Sequence, residues 1–216
     1  MKICADRSLT ICNEVLHAPI HICAFFDSRD DQYEVIIPYI KEGLDKKEKV
    51  INILEGAAHP EHLRRLSAAG INTSEEMSSK QLSVLATEDT YLLGGNFAAE
   101  KMLQLLDDAL NEAYKQGFES VRACGEMIWA LQNLPGTDEL IEYEARLNLL
   151  TPKHCCSLVC MYDVNRFSGR VLADVLATHS HVIMSGRIHQ NPYYVEPLNF
   201  LSTLQRRRQS SLKSGI

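Results

Sequence analysis

Short apolar runs alternate along this chain with stretches of helical period. Runs of strand length fall at Ile20 to Phe26, Val50 to Leu54, Leu82 to Ala86, Val121 to Glu126, Ser157 to Tyr162 and Val182 to Ser185. Val50 to Leu54 is apolar on both faces, as a central parallel strand is. After the first run, Tyr33, Ile36, Ile37, Ile40 and Leu44 recur on one helical face. Asp31 is placed to cap that helix, with Glu34 answering from the third position, and Pro38 predicts a kink. His59-Pro60-Glu61 reads as a helix start that Gly70 ends. Asn96 is the expected cap of the longest helix, carrying Leu103, Leu106, Leu110 and Tyr114, and Gly117 closes it. Thr137-Asp138-Glu139 opens another helix, Val171, Leu172, Val175 and Leu176 mark one over 168–177, and a terminal helix is expected from Asn199. The alternation predicts one doubly wound α/β domain: three layers, a mostly parallel central sheet with helices on both faces. No internal repeat or low-complexity linker interrupts it.

Composition narrows the function classes. The chain has 216 residues, 22 Lys plus Arg against 28 Asp plus Glu, and a net charge of −6. That balance argues against a general nucleic-acid binder, which needs a basic surface to neutralise phosphates. No run approaches the roughly 18–20 apolar residues of a membrane span. Met1 to Arg7 lacks an apolar signal region, so the expectation is a cytoplasmic protein. The 7 cysteines are an odd number, and several lie in apolar runs, which favours reduced thiols over a disulfide framework.

In open α/β sheets, ligands bind at the carboxyl ends of strands. Three such ends are polar. Phe26-Asp27-Ser28-Arg29-Asp30-Asp31 stands where a nucleotide phosphate loop would lie, yet it has no glycine and three aspartates, which would repel a triphosphate. The alternative is a solvated turn plus a helix cap. Cys124-Gly125-Glu126-Met127-Ile128-Trp129 places a carboxylate after a glycine that permits close approach. Glu126 there could bind a metal, act as a base or hold a ligand; equally, it could be a buried Glu on backbone donors, with Trp129 either walling a pocket or filling the core. Tyr162-Asp163-Val164-Asn165-Arg166 is the third end, where Asp163 and Arg166 are near enough to pair and fix the loop. Glu144 lies about 40° from Leu140 on the stripe of Leu140, Tyr143, Leu147 and Leu150. So close to a buried face it needs a partner, for which Arg146, Arg166 or a ligand are the candidates. The patches His17/His21/Cys23 and His154/Cys155/Cys156/Cys160 lack zinc-ligand spacing. No G-x-S-x-G elbow is present.

Several segments together resemble a known family. These are His21-Ile22-Cys23-Ala24-Phe25-Phe26-Asp27-Ser28, Ile37-Pro38-Tyr39-Ile40-Lys41-Glu42-Gly43-Leu44, Gly125-Glu126-Met127-Ile128-Trp129-Ala130-Leu131, Glu142-Tyr143-Glu144-Ala145-Arg146-Leu147-Asn148, Cys160-x-Tyr162-Asp163-x-x-Arg166-Phe167 and Asn191-Pro192-Tyr193-Tyr194. In this order they resemble the MEDS domain, the sensory domain of methanogens, methylotrophs and the dichloromethane-responsive repressor. The resemblance spans residues 17–201, between an extension over 1–16 and a basic tail over 202–216 that carries Arg206-Arg207-Arg208. It implies a RecA/KaiC-like fold with a degenerate phosphate loop. It also implies sensing of small hydrocarbon derivatives without catalysis. Relatives often carry a DNA-binding, kinase or anti-sigma module, and the flanks here are too short for one. The expectation is output through a protein partner of kinase, regulator or anti-sigma type, or through a homodimer, with no direct nucleic-acid contact.

In a RecA-like order Glu126 falls near the Walker B acid, with His21 on the neighbouring strand. The candidate ligand-binding residues are His21, Phe26, Asp27, Glu126, Trp129, Glu144, Tyr162, Asp163 and Arg166. No catalytic residue, metal ligand or cofactor is assigned. Two other functions compete: a nucleotide-binding RecA relative, and a ligand-free interaction module that would show a sealed sheet end without a cavity.

Overall fold

Parallel strands buried on both faces organise the molecule. A computed structural model describes the backbone of residues 7–214 and the side chains of residues 7–210. The strands are β1 (Ser8–Ile11), β2 (Glu14–His17), β3 (Ile20–Phe26), β4 (Lys49–Leu54), β5 (Leu82–Ala86), β6 (Val121–Glu126), β7 (Cys156–Asp163), β8 (His181–Met184) and β9 (Arg187–Gln190). The helices are α1 (Arg29–Asp45), α2 (His59–Ala68), α3 (Thr73–Ser78), α4 (Ala99–Lys115), α5 (Leu140–Leu150), α6 (Gly169–Thr178) and α7 (Pro197–Ser214). Seven strands form one sheet in the order β5-β4-β6-β7-β3-β8-β9, parallel except for the β8–β9 pair. β3, β4 and β6 are buried along their whole length. β1 and β2 make a separate antiparallel hairpin.

The period-two alternation of the strands sorts side chains into two cores. Ile20, Ile22, Ala24 and Phe26 of β3 face Ile36, Tyr39 and Ile40 of α1, Leu66 of α2, and Leu9 and Ile11 of the hairpin. Cys23 and Phe25 face the opposite layer, with Met102 and Leu110 of α4, Tyr143 and Leu147 of α5, and Val175 of α6. The three-layer α/β expectation therefore holds. Arg122, Cys124 and Glu126 of β6 point to the α1 side, and His21 points to the α5 side with Cys160 and Tyr162 of β7.

Several local expectations are corrected. Ser28 caps α1 through its Oγ, which accepts from the Asp31 N–H at 3.1 Å, so the helix starts two residues before Asp31. α4 is preceded by Ala98, and its first N–H, on Ala99, donates to the carboxylate of Glu139 at 2.9 Å rather than to Asn96. α7, with 18 residues, exceeds α4 with 17. The hairpin, α3 and β9 had no counterpart in the expected order. Ser168 does cap α6, and Pro38 does lie inside α1. Cys12, Cys23, Cys124, Cys156 and Cys160 are free thiols. Cys155 is engaged in a disulfide, so uniformly reduced thiols are not what the structure shows. Among the described residues, no helix is long and apolar enough to cross a membrane.

Candidate functional site

The carboxyl ends of β3, β6 and β7 open into a cleft of about 100 Å³, room for several water-sized groups. Its floor is apolar: Phe26, Met161, Tyr162 and Ile128. Its rim is charged: Arg29, Glu55, Glu126, Asp163 and Arg166, with Ser28 and Gln32 beside them. The walls are tied together through the backbone. The Val164 N–H donates to the Phe26 carbonyl at 3.1 Å, and Asn165 Nδ2 donates to the Asp27 carbonyl at 2.9 Å.

Glu126 is buried at the end of β6, and its Oε1 accepts from Arg29 and, at 2.9 Å, from Gln32 on the first turns of α1. Its partners are thus side chains, not the backbone donors weighed above. β7 lies between β6 and β3, so Glu126 and His21 are not on neighbouring strands. Gly125 is needed here: a Cβ would run into the Tyr91 hydroxyl and lie 2.8 Å from Met127 Cε.

The loop after β3 has closed on itself. Ser28 Oγ takes the Asp31 N–H, and the Asp31 carboxylate takes the Asp27 N–H at 3.3 Å. In a phosphate loop these amides would face the ligand. Asp27 itself is exposed and lies outside the cleft lining. Asp163 and Arg166 form no ion pair; the Asp163 carboxylate accepts from the Asn165 N–H at 2.9 Å instead. The Arg166 guanidinium is exposed on the rim and has no hydrogen-bond or ion-pair partner among the described residues.

Trp129 is not in the cleft. It is 0% exposed, stacked on Tyr91 at 4.8 Å between ring centroids and against Phe97 at 4.4 Å. The turn after β6 sends Ile128 to the cleft and Trp129 to the core.

His21 and Glu144 belong to a second, fully buried group beneath the cleft floor. His21 Nε2 lies 3.1 Å from Glu144 Oε2 and 3.3 Å from Cys160 Sγ. His179, at the end of α6, brings its Nε2 to 3.4 Å from the same Oε2. The other carboxylate oxygen, Oε1, accepts from the Tyr162 hydroxyl. Glu144 thus meets histidines and a tyrosine rather than Arg146 or Arg166. Arg146 pairs at the surface with Glu100 and Glu142. Burial pushes the His21 imidazole down to about 4, with neighbouring His179 adding to the effect. For Glu144, burial pushes the carboxyl up, but the two histidines outweigh it and hold the group well below the usual carboxylate range. Burial, then the Glu144 charge, raises the Cys160 thiol far above its ordinary value.

His179 and Asn148 were not singled out from sequence. The signal was present: His179 lies four residues after Val175 on the apolar stripe of α6, and Asn148 four residues after Glu144 on α5. Of the candidate residues, the structure gathers Phe26, Glu126, Tyr162, Asp163 and Arg166 around the cleft and places His21 and Glu144 below it.

Sheet order, buried parallel strands and a cleft at the carboxyl ends of the strands define a RecA-like α/β domain. The chain belongs to the MEDS family (MEthanogen/methylotroph, DcmR Sensory domain), whose model matches residues 20–180. Among curated proteins it is similar to the transcriptional repressor DcmR of Methylorubrum extorquens, at 28% identity over 162 residues. That alignment covers 74% of this chain and 57% of the repressor, so the chain spans little more than half of its relative. Among solved structures it is similar to the KaiC-like protein PH0186 of Pyrococcus horikoshii, with a TM-score of 0.55 and 9% identity. There the match covers 76% of this chain and 70% of that one, and it bears on the fold alone.

Proposed function

We propose that this chain is a non-catalytic sensor whose cleft at the ends of β3, β6 and β7 takes a small organic molecule, and that it passes the signal to a regulatory protein partner. The observation that carries this reading is the cleft itself: an apolar floor of Phe26, Met161 and Ile128 beneath Arg166, a cation with no ion-pair partner among the described residues. A small apolar floor under a largely polar rim suits a small amphipathic ligand, and Arg166 suits one bearing a carboxylate or another electronegative group. Two amides placed to cradle a phosphate, those of Asp27 and Asp31, are taken by the Asp31 and Ser28 side chains, and Glu126 is engaged by Arg29 and Gln32. Both features favour this reading over nucleotide hydrolysis. The open cleft favours it over a ligand-free interaction module, for which a sealed sheet end was expected. Membership of a sensory family and similarity to a transcriptional repressor support a regulatory output.

The test is native mass spectrometry of the purified protein before and after denaturation. A thermal-shift screen of small halocarbons, alcohols and carboxylates accompanies it, with magnesium-ATP as comparator. The expected result is a small adduct lost on denaturation, or a stabilising hit that Arg166→Ala weakens about tenfold or more, the scale of a lost charged contact. Tight magnesium-dependent ATP binding that disappears in Glu126→Gln would replace this function with a nucleotide-binding one.

A further inference from the structure

Four side chains of metal-ligand type meet in the buried group under the cleft. His21, Glu144, Cys160 and His179 each turn one ligand atom inward, and the four atoms lie within 4.8 Å of one another. All four side chains are buried. Glu144 Oε2 and His179 Nε2 are buried and 3.4 Å apart, yet neither makes a well-aligned hydrogen bond. A buried polar atom without a partner costs about 1–3 kcal/mol, and more when charged. Two imidazole nitrogens, a carboxylate oxygen and a thiol therefore converge on one point.

We infer that this point is a closed binding site for one zinc-class divalent cation, held by His21 Nε2, His179 Nε2, Glu144 Oε2 and Cys160 Sγ. Two geometric observations support it, and the chemistry of the ligand set agrees with them. First, the spacing fits. Bonds of about 2.0–2.1 Å to N and O and about 2.3 Å to S give tetrahedron edges of about 3.3 Å, and about 3.5 Å to sulfur. Three of the six edges match, at 3.1 and 3.4 Å for nitrogen to oxygen and 3.3 Å for nitrogen to sulfur; the remaining edges, all within 4.8 Å, shorten as the side chains close on the ion. Second, the outer contacts orient the rings. His179 Nδ1 is 2.8 Å from the Val175 carbonyl, and His21 Nδ1 is 3.4 Å from Asn148 Oδ1. Asn148 Nδ2 donates in turn to the Thr178 carbonyl at 2.8 Å. Protons on both Nδ1 atoms leave both Nε2 lone pairs facing the centre, and Tyr162 steadies the remaining carboxylate oxygen. The charges also balance. Cys160 releases its thiol proton to solvent as the thiolate binds; with one carboxylate and two neutral imidazoles, the ligands sum to −2 and cancel a divalent ion. Four protein ligands and full burial describe a structural site rather than a catalytic one with an open position. It would pin α5 and the end of α6 to β3 and β7.

The test uses the full chain refolded from denaturant with zinc, with cobalt(II), and with chelator alone, because the site is buried. One metal per chain should survive desalting, with a thiolate-to-cobalt charge-transfer band and a higher melting temperature than the chelator-treated sample. Cys160→Ser should lose the band and bind metal at least tenfold more weakly; Cys156→Ser, which changes a buried cysteine outside the cluster, should do neither. If Cys160→Ser does not fold, His179→Gln and the zinc-dependent melting shift of the unmodified chain give the same decision. A folded chain that takes up no metal, or a charge-transfer band that persists in Cys160→Ser, overturns the assignment. In that event the cluster is held by shared protons alone. Small-molecule adducts in the cleft are read separately, so either outcome leaves the sensor reading to its own test.

Discussion

Replacing Trp129 by Ala tests whether the single tryptophan belongs to the core or to the cleft. In the structure its ring packs against Tyr91 and Phe97, and Tyr143 stands edge-on to both of those in the same aromatic group. Truncating a buried tryptophan to alanine costs about 3–5 kcal/mol. One detail moves the expectation to the low end. The indole Nε1 is buried without a hydrogen-bond partner, so the variant also removes a desolvated donor whose burial is unfavourable. About 3 kcal/mol is therefore expected, and for a chain of this size roughly 2–4 °C per kcal/mol gives a fall of about 6–12 °C in melting temperature. Trp129→Phe discards the N–H and keeps most of the stacking, so it should lose less than about 1.5 kcal/mol. Urea and thermal unfolding by circular dichroism measure both variants. In the unmodified protein, tryptophan emission should resist acrylamide quenching until unfolding. An alanine variant that melts within about 2 °C of the parent, or a readily quenched native tryptophan, would show that the ring is not enclosed and would return it to the cleft.

Other predictions follow from the same geometry. Arg122 is buried against Glu48, Glu42 and the Tyr39 carbonyl; Arg122→Met should cost about 3–5 kcal/mol by stranding Glu48, and adding Glu48→Leu should recover much of it in denaturant unfolding. Gly125→Ala should cost about 1–3 kcal/mol because its Cβ meets Tyr91 and Met127. Gly169→Ala, in the first turn of α6 with open space around it, should be neutral or slightly stabilising. Burial, with the nearby His59 and Arg29 charges, lowers the His62 imidazole to about 4. Its folded-state value lies below the unfolded value of about 6.5. The stability it contributes is then complete above pH 6.5 and lost as pH falls toward 4, by up to about 3 kcal/mol. Stability of the parent minus that of His62→Gln, followed across this window, should show that slope; a flat difference would refute it.

How far the sequence could be read depended on whether the cause was local. β3, β4, β6 and β7 were legible because strands buried on both faces leave unbroken apolar runs. β2 and β9 leave no such trace: their exposure patterns are mostly solvent-facing, and edge or hairpin strands take their order from pairing, not from composition. The cap of α4 was misread for a related reason. Asn96 was near in sequence, but the acceptor that reaches the Ala99 N–H is Glu139, brought there by the fold. The cleft was legible through a topological rule, since polar residues after parallel strands collect at one sheet edge whatever their exact partners. Glu144 divides the two situations. Its place beside an apolar stripe already demanded a partner, and sequence proximity offered arginines. A guanidinium carries five N–H donors that must all be satisfied once buried, and around Glu144 the available surface is Cys160, Tyr162 and the sheet. Two imidazoles fit that space, because each can spend its outer nitrogen on a backbone or amide oxygen and bring only one atom to the centre. The chemistry that suits a crowded, dry carboxylate was therefore set by packing around it, and it took the α6 terminus, far along the chain, to supply His179.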